Sequence, residues 1–260
     1  MGTDSEQRSS LDGNSRESVR VLRTDRARTE PGREDSAWVA FVGGLRTSLA
    51  HDLRTPLGAI ANYAAVLEHA QGSSPSEVRN TAHQIRHNVL RTVHMLEQLA
   101  AAAAIAASAP PNASAATPVD ARVVLVRALS DLGARPSIRD RGFEDGSVAK
   151  LDGALLDFAW RAYLALERDV SGRLPESVEV QLEQVDRATC LTLIVGVGVD
   201  PRGPASDLSH FLVQAGDSAR LESRHALRLA DQLVRLRNGT LELHGRAGNG
   251  SALRLQLPPA

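Results

Sequence analysis

Two long runs of helical periodicity, separated by one short polar turn, constrain this chain more than any other feature. From about Ser36 to Ala70, apolar residues recur at Trp38, Phe41, Val42, Leu45, Leu49, Leu53, Leu57, Ile60, Val66 and Leu67, in mixed steps of three and four. Ser36 is a candidate N-cap, and Gly43-Gly44 weakens the start of the helix. Gln71-Gly72-Ser73 reads as the turn. Ser74-Pro75-Ser76-Glu77 then combines a capping serine, a proline suited to the first helical position and the glutamate of a capping box. The second run carries Val78, Ala82, Ile85, Val89, Val93, Leu96 and Leu99 and continues into the alanine-rich stretch 100–107, a strong helix former. Two such helices make an antiparallel hairpin with an apolar seam and little to bury it against. Pairing two hairpins into a four-helix bundle solves this, so the pattern predicts a homodimer.

The remainder divides by composition. Residues 1–34 are polar and lack periodicity, and they read as a disordered tail. The hairpin takes 35–108. Ser108-Ala109-Pro110-Pro111-Asn112-Ala113-Ser114 breaks the helix, and 109–117 reads as a linker. Residues 118–260 read as a mixed α/β domain. It has helices near 123–132, 154–168 and 224–237, strands near 178–184 and 190–197, and closing strands at 240–243 and 252–257. The order suits an α+β sandwich.

Thirty basic residues balance 31 acidic ones, which gives no electrostatic reason to expect nucleic acid or an anionic membrane as partner. The single cysteine, Cys190, excludes an internal disulfide and a cysteine-cluster metal site, and its apolar neighbours predict a buried small residue. No run approaches the roughly 18 apolar residues that span a bilayer, and no signal-peptide pattern is present. The expectation is a cytoplasmic protein without membrane insertion, any membrane sensing belonging to another chain.

The chemistry concentrates in His51-Asp52-Leu53-Arg54-Thr55-Pro56-Leu57. Each helical residue advances about 100°, so with Leu49 at zero the apolar residues Leu53 and Ile60 fall near 40° and 20°. His51 falls near 200° and Thr55 near 240°, one turn apart on the solvent face, with Asp52 near 300° on the rim. A neutral imidazole is a nucleophile, and a carboxylate beside it can hold the other ring proton. Thr55 can orient a water for the reverse, hydrolytic reaction, and Pro56 leaves a carbonyl free near Asp52. His69, His83, His87 and His94 read as ordinary surface histidines.

This heptapeptide in the first helix of a hairpin resembles the phospho-acceptor box of the two-component histidine kinases, specifically over about 45–70 and more loosely to 107. The resemblance implies His51 as phospho-acceptor and Asp52 as base in autophosphorylation. It implies that Thr55 assists phosphatase activity, and that the exchange partner is the aspartate of a response-regulator receiver domain.

The C-terminal region resembles the ATP-binding domain of the same family in order and spacing, but its motif residues differ. Ala162 and Leu166 stand where the family has two asparagines, one a magnesium ligand, and neither offers an oxygen to that hard cation. Glu167 or Asp157 substitutes only after a change of register. In Ile194-Val195-Gly196-Val197-Gly198 the glycines are kept but isoleucine replaces the adenine-binding aspartate. At the third motif, Arg224-His225-Ala226-Leu227 replaces glycines whose amides would meet phosphates. Arg224 reads as an exposed helix-start residue.

The expected function is therefore a phosphorelay protein that carries a phosphoryl group on His51 and exchanges it with a receiver aspartate, with no metal site and no cofactor of its own. One alternative is an ATP-dependent histidine kinase with a divergent pocket, which alone would require Mg-ATP. Another is a non-catalytic dimeric scaffold that docks response regulators.

Overall fold

A computed structural model describes residues 31–69, 74–108, 118–134, 136–141, 149–150, 152–185, 188–196, 198–216 and 219–257. The expected tail over 1–30, the turn Gln71-Gly72-Ser73 and the linker 109–117 lie outside these residues. Helix α1 spans Pro31–Glu68 and α2 spans Pro75–Ala107, packed against each other as the hairpin. The start of α1 corrects the sequence reading, because Ser36 lies inside the helix and 31–34 belong to it rather than to the tail. Pro31 explains the earlier start, since proline at a first helical position costs no hydrogen bond. Helix α2 begins as expected. The Ser74 Oγ accepts from the Glu77 amide at 3.3 Å, and the Glu77 carboxylate accepts from the Ser74 amide at 2.8 Å.

The C-terminal region builds an open sheet covered by helices. In chain order it comprises β1 (Pro118–Val119), α3 (Ala121–Asp131), β2 (Ser137–Arg141), β3 (Ala149–Lys150), α4 (Gly153–Ser171), β4 (Ser177–Val185), β5 (Ala188–Val195), α5 (Leu208–Gln214), α6 (Leu221–Leu236), β6 (Thr240–Gly245) and β7 (Ser251–Leu257). The five-stranded sheet runs β2-β4-β5-β7-β6. Among the described strands only β2 and β4 are parallel, and β1 and β3 pair separately. Val178, Val180, Leu191, Leu193, Leu253 and Leu255 alternate onto one face of the sheet. Against that face lie α4, through the fully buried Trp160 and Tyr163, and α6, through Leu227, Ala230 and Val234. Strand β2 has almost no apolar alternation, and α5, with Leu208, Phe211 and Leu212 in period, is only 7 residues long; both escaped the sequence reading. Cys190 is buried as expected.

Helix α6 is shared between two layers. One side packs on α4 and the sheet core, and the other packs on α1 and α2. Tight fits mark the second contact: a Cβ placed on Gly44 would lie 3.0 Å from the Gln232 amide nitrogen. At the far end the Arg237 guanidinium donates to the carbonyl oxygen of Ile105 at 2.9 Å and to Asp152 at 3.1 Å. A cation there compensates the negative C-terminal end of α2. Between them the Arg91 guanidinium donates to Glu222 at 2.9 Å.

The buried face of α1 is not the stripe that periodicity picks out. Phe41, Leu45, Asp52 and Pro56 lie near 280–340° on the same wheel and face α6. Leu57 stays half exposed, as do Val42, Val89, Val93 and Leu96 on the same hairpin. Helix α2 also corrects the expectation about membrane spans. It contains an 18-residue window of mean hydropathy 1.2, long and apolar enough to cross a bilayer by length and composition.

Replacing Trp160 by alanine removes the largest buried side chain of the α/β layer and is expected to cost about 3–5 kcal/mol. Ser74→Ala removes one cap at an exposed turn and is expected to cost about 1 kcal/mol. Urea unfolding of the two variants measures the contrast.

Candidate functional site

His51 projects from the exposed side of α1, its side chain 81 % accessible. Its Nδ1 lies 3.0 Å from Asp52 Oδ1. The carboxylate is an acceptor, so Nδ1 carries the proton and Nε2 presents its lone pair outward. Thr55 is exposed one turn further on the same side, as the wheel predicted.

Asp52 departs from the expectation. It is not at the rim but buried, 1 % accessible, under α6. His225 Nδ1 donates to its Oδ2 at 2.9 Å, and the Arg228 guanidinium donates to both oxygens at 3.3 Å. Burial by itself would raise the Asp52 pKa. The hydrogen bonds from His225 and His51 and the charge of Arg228 outweigh it and hold the carboxyl well below the usual carboxylate range. A group so acidic is a weak proton acceptor and a strong partner for positive charge. His225 is fully buried, and among the described residues its Nε2 has no hydrogen-bond partner. Sequence reading placed His225 only as a replacement for a glycine and did not single out Arg228. The available signal was their spacing of three on an amphipathic helix, but nothing local links that face to Asp52.

The positions matched to the nucleotide motifs have other roles. Ala162 and Leu166 are packed in the core, 3 % and 0 % accessible. Glu167 is also buried, where its carboxylate accepts from Ser251 and from the Gly248 amide at 2.9 Å, and burial pushes its pKa up. Asp157 pairs with Arg161 at 2.7 Å. Gly196 has φ +89°, and an added Cβ would lie 2.9 Å from the Gly250 Cα, so backbone packing against the β6–β7 turn already requires this glycine. Arg224 is half-buried rather than exposed.

The N-terminus of α6, where phosphates would meet free amides, already faces a carboxylate. Asp169 of α4 accepts from the Ser223 hydroxyl at 2.6 Å and the Arg220 amide at 3.3 Å. Its side chain is 2 % accessible. The Arg220 guanidinium also lies 3.5 Å from this carboxylate, so Asp169 takes up the amide, hydroxyl and cation that the start of α6 presents. At the motif positions apolar Ala162, Leu166 and Ile194 offer no oxygen to a hard cation, and a carboxylate lies at the start of α6. Among the described residues no group of three or more His, Cys, Asp or Glu is placed to hold a metal ion.

Two outcomes follow. An acid whose folded pKa is depressed contributes stability that is complete above its unfolded value, near 3.9, and is lost as pH falls through the folded value. Wild-type protein is therefore expected to lose stability below about pH 4. Asp52→Asn should be less stable at neutral pH and lose less over that acid window, as read by thermal unfolding against pH. Leu166→Asn, which restores the family asparagine in name, buries an amide in the core. It is expected to destabilise by about 3 kcal/mol or more in urea unfolding and to bring no gain in Mg-ATP affinity by calorimetry.

Residues 45–106 match the family described as the His Kinase A (phospho-acceptor) domain. No curated protein matches the sequence. Among solved structures, the chain is similar to the Acinetobacter baumannii histidine kinase AdeS, at 13% identity and TM-score 0.47, over 80% of this chain and 97% of that one. It is similar to full-length ShkA in complex with AMPPNP at 16% identity and TM-score 0.39, over 82% of this chain and 45% of that one. It is also similar to the ATP binding domain of PrrB from Mycobacterium tuberculosis at 20% identity and TM-score 0.38, over 55% of this chain and 97% of that one. These TM-scores lie under 0.5, so the assignment rests on the hairpin match. The matched residues 45–106 lie within the helical hairpin and include His51.

Proposed function

We propose that this protein is a phosphorelay node. His51 takes a phosphoryl group from the aspartyl phosphate of one receiver domain and passes it to another, without nucleotide bound by this chain. The observation that carries the reading is the contrast between its two halves. His51 is exposed, with Nδ1 on a buried carboxylate and Nε2 turned to solvent. At Ala162, Leu166 and Ile194 the side chains are buried and apolar, and Asp169 holds the α6 N-terminus.

The transfer needs positioning and charge compensation more than covalent help from the protein. The Nε2 lone pair attacks phosphorus, the P–O bond to the receiver aspartate breaks, and its electron pair stays on that carboxylate. The ring keeps its Nδ1 proton and becomes cationic, and Asp52 neutralises it. Thr55 stands one turn away, where it can orient the water that hydrolyses a receiver phosphate. The half-exposed Val42, Leu57, Val89, Val93 and Leu96 supply the apolar face for pairing two hairpins into a four-helix bundle, so the working unit is a homodimer. The site of action is the cytoplasm, with receiver domains as partners.

The test is incubation of the protein with a panel of phosphorylated receivers. Acid-labile, alkali-stable label on wild-type protein and none on His51→Asn is expected. Thr55→Ala should keep the forward transfer and slow loss of phosphate from the receiver. Tight Mg-ATP binding by calorimetry, with label reaching His51 from ATP, would overturn this reading in favour of a kinase with a divergent pocket. Receiver signalling unchanged in His51→Asn would favour a non-catalytic scaffold.

A further inference from the structure

Helix α6 reaches the phospho-acceptor by a route that needs no nucleotide. Asp52 has two carboxylate oxygens, and each is assigned an imidazole: Oδ1 to His51 at 3.0 Å, Oδ2 to His225 at 2.9 Å. Arg228 bridges both at 3.3 Å. His225 is 0 % and Asp52 1 % accessible, yet His51 is 81 % accessible. The α/β domain thus covers the carboxylate while leaving the nucleophile open.

We infer that His225 and Arg228 are positioning residues for His51, acting through Asp52 to fix the imidazole tautomer that leaves Nε2 unprotonated. The terminal torsion of an aspartate is broad, so a carboxylate held on one side only can rotate away from its neighbour. With Oδ2 tied to His225 and the guanidinium spanning both oxygens, Oδ1 is held where it accepts the Nδ1 proton of His51. The same donors keep the carboxylate charged, so that it compensates the cation formed when phosphorus bonds to Nε2. A carboxylate that orients a catalytic imidazole in this way is an established arrangement in hydrolases, where it sets tautomer and orientation. Here its second support comes from a helix 173 residues away in sequence. Helix α6 then contributes a hydrogen-bond relay rather than a phosphate site.

This inference rests on the reading of His51 as a phosphoryl acceptor, so its test carries a readout that does not depend on receivers. Nitrogen-15 shifts of the His51 ring, taken in the full chain at mildly alkaline pH, report which nitrogen carries the proton. Wild type is expected to show the Nδ1–H form. His225→Leu and Arg228→Leu should lose that preference, and His225→Asn, which keeps an N–H donor at the same reach, should restore it. In parallel, the rate at which phosphoramidate or a phosphorylated receiver labels His51 should fall about tenfold or more in the leucine variants and recover in His225→Asn. A wild-type His51 in the Nε2–H form overturns the inference. So does a His225→Leu variant with unchanged ring shifts and labelling rate. Tautomer loss and slowed phosphoramidate labelling, with no receiver active on wild type, uphold the positioning role and overturn the relay reading instead.

Discussion

The buried carboxylate of Asp52 is the contact on which the two halves of this molecule depend. An ionised group removed from water is costly unless donors surround it. Asp52 meets that condition with one imidazole from its own helix and an imidazole and a guanidinium from α6. Removing any of these leaves a charge buried with fewer partners, which costs more than the pair contributes when intact. The contact therefore specifies one docking of hairpin and sheet domain more than it glues them. Apolar packing around Phe41, and the polar ties Arg91–Glu222 and Arg237 to the Ile105 carbonyl, set the same helix along the hairpin.

How much was legible in sequence follows from how local each signal was. Helix α2 declared itself through Ser74, Pro75 and Glu77, whose capping box is contained in one turn. The exposed placement of His51 and Thr55 came directly from helical angle. Strands β4, β5 and β7 alternate strongly enough to be read, whereas β2 is an edge strand of Ser137, Ile138, Arg139, Asp140 and Arg141 with almost no apolar alternation. The misplacement of Asp52 has a clear origin. Periodicity reports the average position of apolar residues, and it centred on Leu49, Leu53 and Ile60. It cannot reveal a second face defined by Phe41, Leu45 and Pro56 that is covered by an element far along the chain. Ser36 misled in a similar way, because a serine able to cap can also sit inside a helix that starts at Pro31.

Gly196 and Asp169 show how packing and the demands of a helix end account for a residue whether or not a motif marks it. Gly196 stands where a nucleotide-binding glycine would, but the nearness of Gly250 explains it without any ligand. Asp169 gives the opposite lesson. No motif marks it, yet its carboxylate takes up the amide and hydroxyl donors at the start of α6. Helix N-termini attract anions, and an internal acid satisfies that demand permanently where a phosphate would satisfy it only when bound.

Helix α6 can keep its structural place under either condition because its faces are assigned to different tasks. Leu227, Ala230 and Val234 are held by the sheet domain's core. Glu222, His225, Arg228 and Gln232 look toward the hairpin. At its N-terminal end Asp169 of α4 takes up the Ser223 hydroxyl and the Arg220 amide. Losing a nucleotide contact at that end disturbs neither the core face nor the hairpin face. The constraint that remains is on Asp52: as long as its carboxylate is buried beside His51, something must supply Oδ2 with a donor, and α6 is the element in reach.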